Sequence, residues 1–360
     1  MIAVITISVI LIVFNAAIFL SLLSLRTTKR NESDTLPISV IIAARNEEKN
    51  IPALIQSLNE QNYPKDKYEV IIVDDNSTDN TLEIIKGNIP QGLNLKYFSI
   101  KPEEKELPAK KGVLIYAVKQ AAFPYILVTD ADCRPSKNWL RSFSANFSEG
   151  YDVLFGAAPF FKQKSLINKI SRFENLRSGI LTFAAAGLRF PYSAAARSFG
   201  YTKAAYDKLN GYHSVSDAIA GDDDLFIREA VKSKTRVGTV VDADSFVYSE
   251  TADSLPDYLK QKARHLSVSG KYLFAHQLIL GAWHGLNLAA LLFIPLSLIS
   301  TKFLMLPAVK IICDTLLAAF SQRIFVYNFK LYEILYLQFI YEIFIIINYI
   351  NGVLKPVKWK

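Results

Sequence analysis

Residues 69–81 read EVIIVDDNSTDNT. An apolar run, Val70 to Val73, ends on the adjacent acids Asp74 and Asp75, and a cluster of Asn, Ser, Thr and Asp follows. A short, continuous apolar run closed by turn-forming residues is the pattern of a strand buried on both faces. Runs of the same kind occur at 38–43 (ISVIIA), 95–98 (LKYF) and 125–130 (YILVTD). Helix-like segments lie between them, near 47–60, 78–87, 109–122 and 136–147. This alternation predicts an α/β fold, a mostly parallel sheet flanked by helices. Ligands of such sheets bind at the carboxyl ends of the strands.

The residues after each strand therefore carry the functional reading. Ala44-Arg45-Asn46-Glu47-Glu48 follows the first run, as either a helix cap with an acidic first turn or a binding loop. Asp130-Ala131-Asp132-Cys133 follows the fourth. Two carboxylates one residue apart at a strand end can reach one hard cation, and Mg2+ and Mn2+ favour one or two carboxylates plus substrate phosphates. Asp74, Asp75, Asp130 and Asp132 thus converge in a chain of formal net charge +8, which a metal-nucleotide site explains better than a solvated surface. Lys110 and Lys111 precede Gly112 at the start of a helix, facing a diphosphate or plain solvent. Further on, Gly221 leads into Asp222, Asp223 and Asp224. Adjacent carboxylates push one pKa upward, which suits a general base; the plain alternative is an acidic first helical turn.

The flanks are apolar. Residues 1–25 carry no charged side chain; as a helix they would span ~37 Å against a hydrocarbon core of ~30 Å. Arg26, Lys29 and Arg30 follow the run, opposite to a cleaved signal, and place what comes next in the cytoplasm. Residues 272–301 lack Lys, Arg, Asp and Glu, and 331–354 form a second span that includes Glu342. Between them, 303–321 is interrupted by Lys310 and Asp314, four apart and able to pair on one helix face. That segment is a third span or an interfacial helix. Two C-terminal spans would keep the basic end, Lys355–Lys360, in the cytoplasm, and three would put it outside. The expected organisation is a transmembrane helix at 1–25, a cytoplasmic domain at 31–275 and a membrane region at 276–360. Residues 164–185, apolar with interspersed Lys and Arg, read as an interfacial helix. The 51% hydrophobic content excludes a disordered chain, and Cys133 and Cys313 lie too far apart in sequence for a zinc site or disulfide framework.

These motifs, in this order, resemble the inverting, membrane-anchored family 2 glycosyltransferases of the GT-A fold, and more distantly the cellulose and hyaluronan synthases. The resemblance covers residues 37 to about 275. ISVIIAARNEEKNI resembles the first strand and loop, EVIIVDDNSTDNT the nucleotide-binding segment, PAKKGVL the Lys-Gly helix start and VTDADC the metal-binding Asp-x-Asp. GDDDLF resembles the acidic motif of the catalytic base, and QKARH (261–265) the Gln-x-x-Arg-Trp motif. The resemblance implies transfer of a hexosyl or N-acetylhexosaminyl group from a nucleotide-diphosphate donor, commonly a UDP-sugar, with Mn2+ or Mg2+. The acceptor would be lipid-linked or polysaccharide, at the bilayer of a bacterial inner membrane; no nucleic acid partner is expected. Asp223 is then the base, with Asp222 next, and Asp132 with Asp130 the metal site. Ala44, Asn46, Glu47, Asp74, Asp75, Lys110, Lys111, Asp130, Gln261 and Arg264 would contact the nucleotide sugar. Three departures stand out: His265 in place of Trp, Ser198 in ARSFGY (196–201) in place of Asn, and three acids at 222–224 where relatives have Glu-Asp. The competing readings are a cation-dependent nucleotidyltransferase and a membrane scaffold with a degenerate transferase fold.

Overall fold

A computed structural model describes residues 2–29 and 35–354, with Arg30 and the basic stretch Lys355–Lys360 outside the described residues. In chain order, α1 (Ile2–Ser24) is followed by β1 (Ile38–Ala44), α2 (Ile51–Asn59), β2 (Tyr68–Asp74), α3 (Thr81–Gly87) and β3 (Leu95–Ser99). Then come α4 (Ala109–Gln120), β4 (Tyr125–Asp130), β5 (Cys133–Pro135), α5 (Trp139–Ser148), β6 (Val153–Gly156) and α6 (Leu166–Gly187). The next elements are β7 (Phe199–Thr202), α7 (Lys203–Lys208), α8 (Asp224–Lys232), β8 (Val237–Val240) and β9 (Val247–Ser249). Helices α9 (Leu255–Leu266), α10 (Phe274–Leu296), α11 (Met305–Ile324) and α12 (Leu331–Leu354) complete the order. Two compact units result: a sheet unit of residues 26–161 and 193–250, and a helical unit of 2–25, 162–192 and 251–354.

The sheet runs β3-β2-β1-β4-β7-β6-β8. Strands β3, β2, β1 and β4 are parallel, β7 is antiparallel to both its neighbours, and β6 and β8 are parallel. Every residue of β2 is buried, and all but one of β1, which is why these strands read as unbroken apolar runs. On one face Ile38, Val40 and Ile42 pack with Leu54 and Leu58 of α2 and Leu140 and Phe143 of α5. Ile41 and Ile71, on alternate positions, are also fully buried, and α4 contacts the same strands, so helices cover both faces. The register decides where the site lies: Ala44 pairs with Asp74 and Ala43 with Asp130. The carboxyl ends of β1, β2 and β4 are therefore level. The expected strands match the observed ones to within about one residue. The expected helix at 47–60 begins instead at Ile51, because Asn46 adopts left-handed backbone (φ 56°) and turns follow it.

Among the described residues, four helices are long and apolar enough to cross a membrane: Ile2–Ser24, Phe274–Leu296, Thr301–Ile324 and Leu331–Gly352. Three of them are C-terminal, the upper of the two expected numbers. Helices α1 and α6 approach closely, with Ser21 Oγ donating to Ala184 O at 2.6 Å. A Cβ at Gly187 would collide with Ser21 Oγ, so glycine is what permits the crossing. Lys310 and Asp314 pair at 2.7 Å, as their spacing predicts. Glu342 of α12 also reaches Lys310 at 3.0 Å, and Arg177 of α6 reaches Asp314 at 3.2 Å. The helix expected to lie at an interface, 164–185, forms as α6 but is internal. It buries Phe173, Leu176 and Ile180 together with Arg172 and Arg177. Two of its basic side chains point inward: Arg172 lies over the Tyr327 and Phe329 rings, each at 5.2 Å, and Arg177 meets the buried acid.

Candidate active site

The loops after β1 and β2 are stitched into one floor. Asp75 N donates to Ala44 O at 2.7 Å. Thr78 N donates to Asn46 Oδ1 at 2.8 Å, and Asn46 N to Ser77 Oγ at 3.0 Å. Asn46 and Asn76 both have positive φ, which asparagine tolerates because its short polar side chain bonds locally. Glu47 N donates to Thr81 Oγ1 at 2.8 Å, while Glu47 Oε2 accepts from Asn50 Nδ2 at 2.7 Å. Ala44 and Asn46 thus shape this floor rather than cap a helix.

On it sit two buried acids. Asp74 Oδ2 accepts from Ser77 N at 3.3 Å and Ser99 Oγ at 3.2 Å, while its Oδ1 is buried with no hydrogen-bond partner. A buried acceptor left open is costly and suits a donor brought by a ligand. Asp75 pairs with Lys105, and Arg45 lies 3.7 Å away. Lys105 gains this position through Gly112. A Cβ there would collide with Leu107 O, so only glycine lets the 105–107 loop lie against α4.

The two lysines of α4 separate. Lys110 Nζ bridges Asp130 Oδ1 at 2.7 Å and Asp222 Oδ2 at 2.8 Å. Burial opposes its charge, yet the two carboxylates hold it above the usual lysine range. Lys111 does not face a diphosphate as expected. Its ammonium donates to Val215 O at 2.6 Å and Ala218 O at 2.8 Å, tying down the turn before the acidic segment. Consecutive helical residues point ~100° apart, and here the two ammonium groups go to different partners.

Among the described residues, Asp130, Asp132 and Cys133 bring ligating atoms within 4.8 Å of one another. The carboxylates suit Mn2+ or Mg2+, whereas the thiol does not. Burial, with the charges of Asp132 and Asp130, pushes Cys133 well above its usual range, so it stays protonated. Asp132 keeps solvent access. The protein packed around it disfavours its charge all the same, and Asp130 and Glu47 add to this, raising it above the ordinary carboxylate range.

Gly221, at φ 78°, swings the chain into the acidic segment in a conformation that side chains disfavour. Asp223 Oδ2 accepts from Ala196 N at 2.6 Å. Asp224 Oδ1 accepts from Ser193 Oγ at 2.6 Å and Ala194 N at 3.2 Å. Burial, then the charges of Asp224 and Asp222, push Asp223 well above the usual carboxylate range. Ser198 proves to be a core residue. It is fully buried, and its Oγ accepts from Trp139 Nε1 at 3.1 Å.

Gln261 and Arg264 belong to the helical unit, three apart on α9. Another face of α9 is held by Tyr258 OH (2.6 Å) and Lys262 Nζ (3.0 Å), both on Glu174 Oε2. In the sheet unit, Ala44, Asn46, Glu47, Asp74, Asp75, Asp130 and Asp132 lie at the level strand ends and in the loops after them, Lys110 of α4 links Asp130 to Asp222 in the segment before α8, Asp223 follows, and Lys111 turns away. Lys105, Arg45 and Ser193 escaped the sequence reading. Lys105 lies in KPEEKELPAKK, where the lysines look alike, and Gly112 is the one local hint of a close approach.

The model of the family described as Glycosyl transferase family 2 matches residues 39–208. Glycosyltransferase AglE of Haloferax volcanii is 34% identical over 130 residues, 36% of this chain and 41% of that protein. Poly(ribitol-phosphate) beta-N-acetylglucosaminyltransferase TarS of Staphylococcus aureus is 36% identical over 120 residues, 33% of this chain and 20% of that one. A Methanococcus voltae enzyme, dolichyl N-acetyl-alpha-D-glucosaminyl phosphate 3-beta-D-2,3-diacetamido-2,3-dideoxy-beta-D-glucuronosyltransferase, is 32% identical over 146 residues, 40% of this chain and 42% of its own. In each case the match spans less than half of the relative's length. Among solved structures, a mannosyltransferase of Pyrobaculum calidifontis in complex with GDP-Man and Mn2+ superimposes with a TM-score of 0.56. It is 18% identical and covers 96% of this chain and 99% of its own.

Proposed function

Residues 39–208 form a family 2 glycosyltransferase domain with the GT-A fold, and from this premise we propose that the chain transfers a sugar from a nucleotide-diphosphate donor to a membrane-associated acceptor, with inversion and with a divalent cation. One observation carries the reading. A single ammonium, Lys110, ties the strand-end acid Asp130 to the acidic segment at Asp222, so the metal side and the base side of a transferase site are neighbours.

The roles follow from the chemistry of each group. Asp223 takes the proton of the acceptor hydroxyl, and its raised pKa makes it a better proton acceptor than an ordinary carboxylate. Asp222 is the second choice because Lys110 already holds it. Asp132 and Asp130 would hold Mn2+ or Mg2+, which when bound supplies positive charge to the departing diphosphate. The open Oδ1 of Asp74 and the carboxylate of Asp75 would receive base or ribose hydrogens, over the floor made by Ala44, Asn46 and Glu47. Gln261 and Arg264 are assigned to the donor by their motif alone.

The four apolar helices and the printed substrates of the relatives, a poly(ribitol-phosphate) and a dolichyl phosphate glycan, favour a lipid-linked or polymeric acceptor at the bilayer. Arg26 and Lys29, just after α1, favour a cytoplasmic catalytic domain. The test is the leaving group. Membranes holding the full chain, given a nucleotide sugar and Mn2+, should release a nucleoside diphosphate. Release of pyrophosphate from a nucleoside triphosphate offered with a sugar phosphate, with no nucleoside diphosphate released from the nucleotide sugar, would replace this reading with a nucleotidyltransferase.

A further inference from the structure

We infer that Lys110 is an internal counter-cation for the metal side of the site: its ammonium pairs with Asp130, competes with a divalent cation there, and makes cation and diphosphate bind cooperatively. This rests on the transferase reading and adds to it a mechanism for ordered loading.

The geometry makes the competition direct. Lys110 Nζ lies 2.7 Å from Asp130 Oδ1, and that carboxylate shares a ligand cluster with Asp132. The same ammonium reaches Asp222 Oδ2 at 2.8 Å. Its side chain is about one-tenth exposed, whereas Asp130 is about one-third exposed. The acid is therefore open to an incoming cation, while the lysine is held from behind by the fold. Lys111, the next residue, anchors the start of α4 to the turn at 215–218, so the ammonium is presented from a fixed base.

Asp130, Asp132, Asp222, Asp223 and Asp224 crowd one region, and like charges so placed repel unless a cation offsets them. Lys110 supplies that offset when no metal is present. A divalent cation arriving at Asp130 and Asp132 meets a resident positive charge and must weaken the Lys110–Asp130 contact. A diphosphate arriving with it offers the displaced ammonium new acceptor oxygens. Each ligand then removes part of the cost of binding the other, which is positive coupling in the linkage sense.

The experiment is Mn2+ binding to the purified full-length protein, read from the free-Mn2+ electron paramagnetic resonance signal, with and without UDP or GDP. Wild type should bind Mn2+ weakly alone and markedly more tightly with nucleotide. Lys110→Met should bind Mn2+ alone about tenfold more tightly, the low end of what one nearby charge does to a carboxylate's affinity for a cation. Its gain from nucleotide should shrink by a similar factor. Lys110→Gln, which keeps a hydrogen-bond donor, guards against a folding defect and should behave alike. Lys119→Met, a charge lost from the far end of α4, should leave Mn2+ binding unchanged. Nucleotide-coupled Mn2+ binding in wild type with equal Mn2+ affinity in both Lys110 variants would overturn the counter-cation and leave the transferase reading standing. No Mn2+ binding by wild type, with or without nucleotide, would overturn both.

Discussion

The backbone amide of Ala196 donates to Asp223 Oδ2 at 2.6 Å, so the proposed base is held by a segment distant in sequence. That bond fixes one carboxylate oxygen, and the backbone N–H of Asp224 also donates to this carboxylate. Asp223→Asn keeps the shape and the acceptor for Ala196 N but removes the basic oxygen. Turnover should fall by ~10²–10⁴, the range for loss of a general base, while nucleotide affinity is unchanged. The check is kcat beside a nucleotide Kd measured on the same preparation.

The acid limb of the rate profile should also move. Asp223 must be deprotonated to act, and burial with the charges of Asp224 and Asp222 raises its pKa. Activity should therefore rise with pH through a midpoint above the ordinary carboxylate range. Asp224→Asn removes the largest charge contribution and keeps an acceptor for Ser193 Oγ and Ala194 N. Its midpoint should shift to lower pH, read from kcat/KM between pH 4 and 9.

Gly112→Ala tests the packing behind Asp75. The new methyl would press on Leu107 O and lie 2.8 Å from Lys105 Cβ, so the loop must move away from α4. Overpacking of this kind costs ~1–3 kcal/mol. Tm should fall and nucleotide Kd should rise together, because Lys105 leaves Asp75. A lower Tm with unaltered nucleotide affinity would detach Lys105 from the donor site.

In the helical unit Arg177 and Lys310 meet Asp314 and Glu342, two cations against two acids, and each is at most 3% exposed. Lys310→Met would strand Glu342 and unbalance Asp314, costing about 3–5 kcal/mol as for other broken buried pairs. The double variant Lys310→Met, Glu342→Gln leaves the Arg177–Asp314 pair neutral overall and should recover much of that loss. Thermal unfolding in detergent of the single and double variants reads the difference.

Much of this was legible in the sequence, for physical reasons that can be named. β1, β2 and β4 are buried on both faces, so burial wrote itself as unbroken apolar runs, and the acids after them had nowhere apolar to go. β6, β7 and β8 have four residues each and depend on pairing with distant partners, which leaves no local period to read. Lys110 and Lys111 looked equivalent because a sequence does not say which way a helix faces once both of its sides are covered. Ser198 looked like a departure from the family segment; its partner is Trp139, 59 residues away. Arg172 and Arg177 looked interfacial because their buried partners, Tyr327 and Phe329 in the loop before α12 and Asp314 on α11, lie more than 100 residues later in the chain.

The central claim is metal-dependent sugar transfer with Asp223 as its base. The direct measurement is nucleotide release by purified membranes offered a panel of nucleotide sugars with Mn2+ or Mg2+, wild type beside Asp223→Asn. The account predicts metal-dependent release of a nucleoside diphosphate with at least one sugar, reduced by ~10²–10⁴ in the variant. Release at the same rate from both proteins, or release indifferent to a chelator, would contradict it.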